Sequence, residues 1–360
     1  MNIDYIVYFV LLLLLSCKPS NFEISIDESN EIVVTLPKSY VGHRSLSKYQ
    51  NINNSDCLCL MDREQSSLVC LNIYSSEIEA EFTFDFGPLS NIRAIVDYEV
   101  LNDSELLVID ATAYSIVDKQ GKSLNEFNIN KEVSSSGGVS AQDKIYYPYS
   151  IVQSNTMNIN KNDSLIIYNV LSSKFVSDSI TFVLANYMTN AINRQSFYAP
   201  NRMNEYSFLS SIPNLFLPLT TFSDSLIYYN FSYNNELHVA SIESKRSIMK
   251  ELKFDVSSKY PPNADEFYQS IDSQPLLSSV TVSNEHNKIF IIRNLFSGNN
   301  IDSPNTLFVV DKNTLVLQSE MLWPQPYLTN VFLMEGSVYA MRFDDEIESN
   351  IVLNEIKLYD

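Results

Sequence analysis

The stretch NDSELLVIDATAYSIVDKQGKSLNEFNI, residues 102–129, decides the fold. It opens on an Asn-Asp-Ser turn, runs through the apolar ELLVID, and repeats the figure as AYSIVD, the polar turn DKQGK and SLNEFNI. Short runs rich in β-branched and aromatic residues, punctuated by polar turns, read as strands and not as helices. Asn, Asp and Ser suit the turns because their side chains bond the local backbone and tolerate left-handed dihedrals. Working outward, the turn-then-strand figure recurs as SDCLCLMD from Ser55, NDSLIIYN from Asn162, SDSLIYYN from Ser223, HNKIFIIR from His286 and EGSVYAMR from Glu335. The six starts lie 47, 60, 61, 63 and 49 residues apart, the spacing of four-stranded propeller blades with variable loops.

After SDSLIYYN the chain continues as NNELHVASIESKRSIMKELKF, again strand, polar turn and strand, so this second turn joins the last two strands of a blade. The sixth copy leaves only about 25 residues, room for about three strands with their turns. The strand-like segments EISIDES and EIVVTLPKSY near the N-terminus are otherwise unassigned. An N-terminal strand is therefore expected to complete the last blade and remove a free sheet edge. The expected fold is all-β, a six-bladed β-propeller closed by that strand and spanning residues 23–360 as one domain. Because the copies match only in their central strand, an array of β-sandwiches is the competing architecture.

Composition agrees with a packed β protein. Of 360 residues 45% are apolar, 12% aromatic and 19% charged, far from the signature of disorder. The 20 Phe and 22 Tyr suit cross-strand packing, and with only 7 Gly the turns fall to Asn, Asp and Ser. Lys and Arg number 24 against 43 Asp and Glu, a balance of −19 that argues against a nucleic-acid partner.

The N-terminus reads as an address. An apolar run from Tyr5 to Leu15 is too short to span a bilayer and fits the h-region of a secretory signal, residues 1–16. Leu14-Leu15-Ser16-Cys17 resembles a bacterial lipobox, which would make Cys17 a lipidated N-terminus followed by a tether through residue 22. Asp4 and the lack of Lys or Arg in the n-region depart from the usual basic pattern. The expectation is a protein held by its lipid on a bacterial membrane, the outer one, with the periplasmic or surface side left open.

The blade pattern carries a resemblance. GPLSNIRAIVDYEVLNDSELLVID followed by IVDKQGK, then SDSLIYYN, VTVSNEHNKIFIIR and LFVVDKN, is similar to a family of uncharacterised Bacteroidetes lipoproteins with TolB-like six-bladed propellers. The resemblance covers most of the mature chain and rests on strands and turns. It implies the lipobox, the blade count and an envelope location, names no chemistry, and carries over one residue, Cys17.

Beyond Cys17 three cysteines remain. Cys57, Cys59 and Cys70 read as small buried hydrophobes, as a Cys59–Cys70 bridge across a hairpin, or as metal ligands. The metal reading is poor, because His43, His238 and His286 have no ligand-like spacing. No cofactor is indicated.

Candidate ligand contacts lie at strand edges and loops. Arg93 follows GPLSN, Arg194 and Arg202 flank QSFYAPN, and Arg293 ends KIFIIR; such arginines serve either an anionic ligand or ordinary loop ion pairs. Trp323, in MLWPQPY, reads as an exposed contact on a proline-fixed turn. The aromatic segment 177–217 reads either as the outer strands of two blades or as a glycan-recognition loop.

Enzyme signatures are weak. There is no G-x-S-x-G elbow and no phosphate loop, and Asp344-Asp345-Glu346 is most simply a solvated turn in so acidic a chain. The expected function is non-catalytic binding or scaffolding toward an envelope protein or a glycan. The competing class is a propeller-type polysaccharide lyase or glycosidase.

Overall fold

Each of the six recurrent motifs forms the second strand of its own antiparallel sheet. The structure, a computed structural model, describes residues 22–37, 47–62, 67–84, 92, 95–110, 112–135, 144–146, 159–171, 179–198, 218–230, 236–252, 275–295, 305–323, 327–344, 347 and 349–359. The first strand, β1 (Glu23–Thr35), is set aside until the end of the chain. Blade 1 is β2 (Ser47–Ile52), β3 (Ser55–Asp62), β4 (Ser67–Asn72) and β5 (Ile78–Thr83). Blade 2 is β6 (Asp97–Val100), β7 (Glu105–Ile109), β8 (Ala113–Asp118) and β9 (Ser123–Asn128), followed by the short helix α1 (Ile129–Ser135). In blade 3, β10 (Lys144–Tyr146) and β11 (Ile159–Asn160) both pair with β12 (Leu165–Leu171), and β13 (Ser179–Asn186) and β14 (Ile192–Tyr198) lie outside it.

Blade 4 is β15 (Leu219–Ser223), β16 (Leu226–Asn230), β17 (Glu236–Ser241) and β18 (Ser247–Glu251). Blade 5 is β19 (Pro275–Ser283), β20 (Lys288–Leu295), β21 (Asn305–Asp311) and β22 (Leu317–Trp323). Blade 6 takes β23 (Tyr327–Met334), β24 (Ser337–Phe343) and β25 (Asn350–Tyr359) from the C-terminus, and β1 pairs with β25 as its outermost strand. EISIDES and EIVVTLPKSY thus contribute to one strand, with a register shift between Asp27 and Glu31.

The middle strands are apolar on both faces because a neighbouring sheet covers each face. Buried side chains join the blades around the whole ring. Cys57, Cys59 and Met61 pack on Tyr98 and Val108 between blades 1 and 2, and Leu107 and Ile109 on Ile166 and Tyr168 between blades 2 and 3. Phe182 meets Tyr229 edge-on at 5.2 Å between blades 3 and 4, and Tyr228 and Leu237 meet Val280 and Ile289 between blades 4 and 5. Phe290 and Leu307 pack on Val331 and Val338, and Met341 and Leu353 on Leu58 and Leu60, which returns the core to blade 1. The outermost strands are wetter, as the exposed positions of β5 and β18 show.

Cys59 and Cys70 face each other in the β3–β4 register and are joined by a disulfide inside the core between blades 1 and 2. Cys57, on the same face, is free and buried. Burial, then the carboxylates of Glu79 and Asp56, push its thiol up to about 12, which keeps it protonated and inert at neutral pH.

One turn recurs between the third and fourth strands. In blades 1, 3 and 5 the side chains of Asn72, Asn186 and Asp311 accept the backbone N–H groups two and three residues on, at 2.8–3.1 Å. The fifth residue of the turn is left-handed in each case: Ser76, Asn190 and Leu315, with Lys245 in the corresponding turn of blade 4. A backbone bond then ties this turn to the one between the first and second strands, as from Ile73 N–H to Asp56 O, Tyr187 N–H to Ser164 O, Ile242 N–H to Ser225 O and Lys312 N–H to Asn287 O, at 2.9–3.0 Å. Both short turns of each such blade therefore lie on one face of the ring, and the strand ends that border the long connections lie on the other.

Candidate functional site

Antiparallel order sends the C-terminal ends of the innermost strands of all six blades to the short-turn face. There they surround the axis and line a cavity of about 510 Å³, within the size range of small-molecule sites. Blades 1 to 3 supply most of its charge through Lys48, Glu99, Lys161 and Asp163, while Phe222, Val282, Val331 and Phe332 form an apolar wall from blades 4 to 6.

The polar groups are held by one another. Lys48 pairs with buried Asp97, donates to Tyr98 O at 3.0 Å, and stands 5.4 Å from the centroid of the Tyr98 ring. The Gln50 amide bridges two groups of blade 2: Nε2 donates to Glu99 Oε2 at 2.8 Å, and Oε1 accepts Val100 N–H at 3.0 Å. Lys161 Nζ donates to Val100 O at 2.8 Å, so a blade 3 side chain closes the gap to blade 2. Across the axis Ser223 Oγ donates to Asn284 Oδ1 at 2.6 Å, and Lys312 donates to the same oxygen.

Glu99 is the strained member of this set. Burial raises its carboxyl above the ordinary range, Lys48 and Lys161 pull the other way, and the net shift is upward. The cavity so offers ammonium and amide donors, carboxylate and amide acceptors and one apolar wall, a surface matched to a small polyhydroxylated or amide-bearing ligand. Among the described residues no group of three or more His, Cys, Asp and Glu could hold a metal ion.

Of Arg93, Arg293 and Trp323, the candidate contacts favoured by sequence, Trp323 is the one with a described side chain, and it lies outside the cavity wall. Cys17 and Arg93 lie outside the described residues. Arg293 sits in β20, a second strand, opposite Leu277 and Thr306. Trp323 corrects its reading as an exposed contact: it ends the outermost strand of blade 5 at 1% exposure, packed with Phe22, Phe290 and Leu307. The flanking prolines suggested a solvated turn, but the strand end is covered by the start of β1, and a large indole gains most from such burial. Within the 177–217 segment, residues 179–198 form β13 and β14, with Tyr187 and Phe197 buried. Asp344 accepts the Ile347 N–H, and Asp345 and Glu346 lie outside the described residues.

Lys48, Gln50, Glu99 and Lys161 were missed, although the repeat marks their place. In every blade the cavity residues come just before or at the start of the recurrent motif: Lys48 to Asn51 ahead of Ser55, Glu99 ahead of Asn102, and Asn160 and Lys161 ahead of Asn162.

Fold and cavity together define a six-bladed β-propeller whose innermost strands build a site on the axis. No protein-family model matches the sequence, and no curated protein matches it. Among solved structures the chain is similar to a member of the DUF4221 family from Bacteroides vulgatus, with a TM-score of 0.60 at 11% identity, over 95% of this chain and 100% of that one. It is also similar to a luciferin-regenerating enzyme (TM-score 0.48, 8% identity, 91% and 95% covered) and to the β-propeller domain of Cps50 (Swd1) from Myceliophteria thermophila (TM-score 0.44, 9% identity, 89% and 99% covered). At such identities the likeness speaks to the fold alone.

Proposed function

We propose that this propeller is a lipid-anchored envelope protein that works by binding, without catalysis, and that its ligand, a glycan or a polar segment of a protein partner, sits in the axial cavity. The observation that carries the reading is the convergence of six innermost strands on one polar cavity whose side chains are already positioned by mutual hydrogen bonds. Pre-positioned groups lose little freedom on binding, which favours affinity. The anchor rests on the lipobox at Cys17, and a TolB-like relationship on the blade pattern alone.

One observation favours the glycan-cleaving alternative. A carboxyl raised by burial, such as that of Glu99, is the state in which a general acid holds its proton. The test is to present the Cys17→Ala protein to a glycan array and to an envelope extract. A saturable ligand is expected, with affinity reduced about fivefold by Lys161→Ala, the worth of one hydrogen bond at roughly 1 kcal/mol. Turnover of the bound sugar that Glu99→Gln abolishes would replace the binding reading with the enzyme. A ligand indifferent to both substitutions would place its site away from the cavity.

A further inference from the structure

Eleven large hydrophobic residues are exposed among the described residues: Val33, Tyr74, Ile78, Leu124, Met188, Ile248, Met249, Val316, Leu322, Ile347 and Tyr359. Their positions are not scattered. Seven fall in, or within two residues of, the junction of the third and fourth strands, and every blade supplies at least one: Tyr74 and Ile78 in blade 1, Leu124 in blade 2, Met188 in blade 3, Ile248 in blade 4, Val316 in blade 5 and Tyr359 in blade 6. A soluble surface tolerates single apolar residues anywhere, but here one recurs in every blade at the same topological place.

The chain leaves the ring at this same place. In blade 6 the junction is open, and Glu23 pairs with Tyr359 across it. Five residue steps separate Phe22 from Cys17, a span of at most about 18 Å when fully extended.

We infer that the short-turn face rests against the bilayer holding the Cys17 lipid, with the apolar side chains of the third-to-fourth-strand junctions in the headgroup region and the opposite strand ends turned away. The inference rests on the proposed anchor. Tyr74 and Tyr359 are suited to this boundary, since tyrosine presents an apolar ring and a polar hydroxyl where one side of the surface is wet. The two chains of a lipobox diacylglycerol already hold a protein stably, so the ring of apolar contacts adds orientation to an attachment that exists without it. The cavity then faces the headgroup region, and a ligand of the kind proposed above enters it from that side.

The experiment uses the full lipidated chain in phosphatidylcholine vesicles doped with a headgroup-nitroxide lipid. A fluorophore is attached to Met188→Cys, or, on the other face, to Ile347→Cys between β24 and β25; both sites are exposed at 63% and 51%. Quenching at residue 188 several-fold stronger than at residue 347 is the expected result. Equal quenching, or stronger quenching at 347, overturns the orientation while flotation of the vesicle-bound protein leaves the anchor standing. Shielding of 188 from aqueous iodide without nitroxide quenching points to a second copy of the chain on this face and overturns it as well. Failure of the wild-type chain to float with vesicles sinks the anchor and the orientation together.

Discussion

Glu99 is a residue on which burial and charge act in opposite directions, and pH separates them. Its raised carboxyl means that the folded chain holds this proton to higher pH than the unfolded chain does. Between the two values the native state binds more protons, so the stability of the fold falls as pH rises through the folded value. Glu99→Gln removes the ionisation and keeps an acceptor for Gln50 Nε2. The thermal midpoint of the variant should exceed that of the wild type at pH 7.5, with the gap shrinking below the ordinary glutamate value of 4.5. A lower midpoint at pH 7.5 would mean that Lys48 and Lys161 need the charge more than burial opposes it. At this scale the sequence was least legible: nothing local to Glu99 or Lys48 marks either as special, since these half-buried groups are enclosed only when distant strands meet. Trp323 teaches the same lesson, because the prolines beside it are local and the β1 residues that cover it lie some 300 positions away.

Among the elements, the capped turn does the work that glycine does in other β proteins. Asp311 shows its energetics: burial alone would raise the carboxyl, but the Thr314 backbone and hydroxyl bonds outweigh it and hold Asp311 below the ordinary aspartate range. Asp311→Ala should cost about 1–2 kcal/mol, the worth of a side-chain cap with two backbone donors left unmet, while Asp311→Asn keeps the acceptor and costs much less. Urea midpoints of the two variants decide this, and equal losses would assign the effect to charge. Asn72 and Asn186 hold the same position in blades 1 and 3, which is why the amide should serve. Strands and turns were legible in the sequence because each depends on neighbours a few residues away. The six repeated motifs locate the second strand of every blade, and IVDKQGK and SIESKR locate third-to-fourth-strand turns. The split innermost strand of blade 3 was not legible, since two pieces 12 residues apart pair with one partner only in the folded sheet.

For the molecule as a whole the question is what the N-terminal strand adds to the ring. β1 pairs with β25 through ten residue pairs, in two groups of five on either side of the shift at Asp27 and Glu31. We expect deletion of residues 22–37 from the Cys17→Ala protein to lower stability in one cooperative step, because the edge it exposes belongs to a core continuous through all six blades. Far-ultraviolet circular dichroism and the fluorescence of Trp323, the chain's one tryptophan, should lose signal together at a lower midpoint. An unchanged midpoint would show that the ring stands without this strand. The same pairing has a mechanical meaning. If the N-terminal end of β1 is loaded while the far face is gripped, force enters at Glu23 and runs along β1 toward Thr35. The β1–β25 ladder is then pulled in shear, so its rungs resist side by side and do not peel one after another. Pulled from its N-terminal end, β1 would therefore resist as a whole ladder, with the shift between Asp27 and Glu31 as the point where its two halves part company.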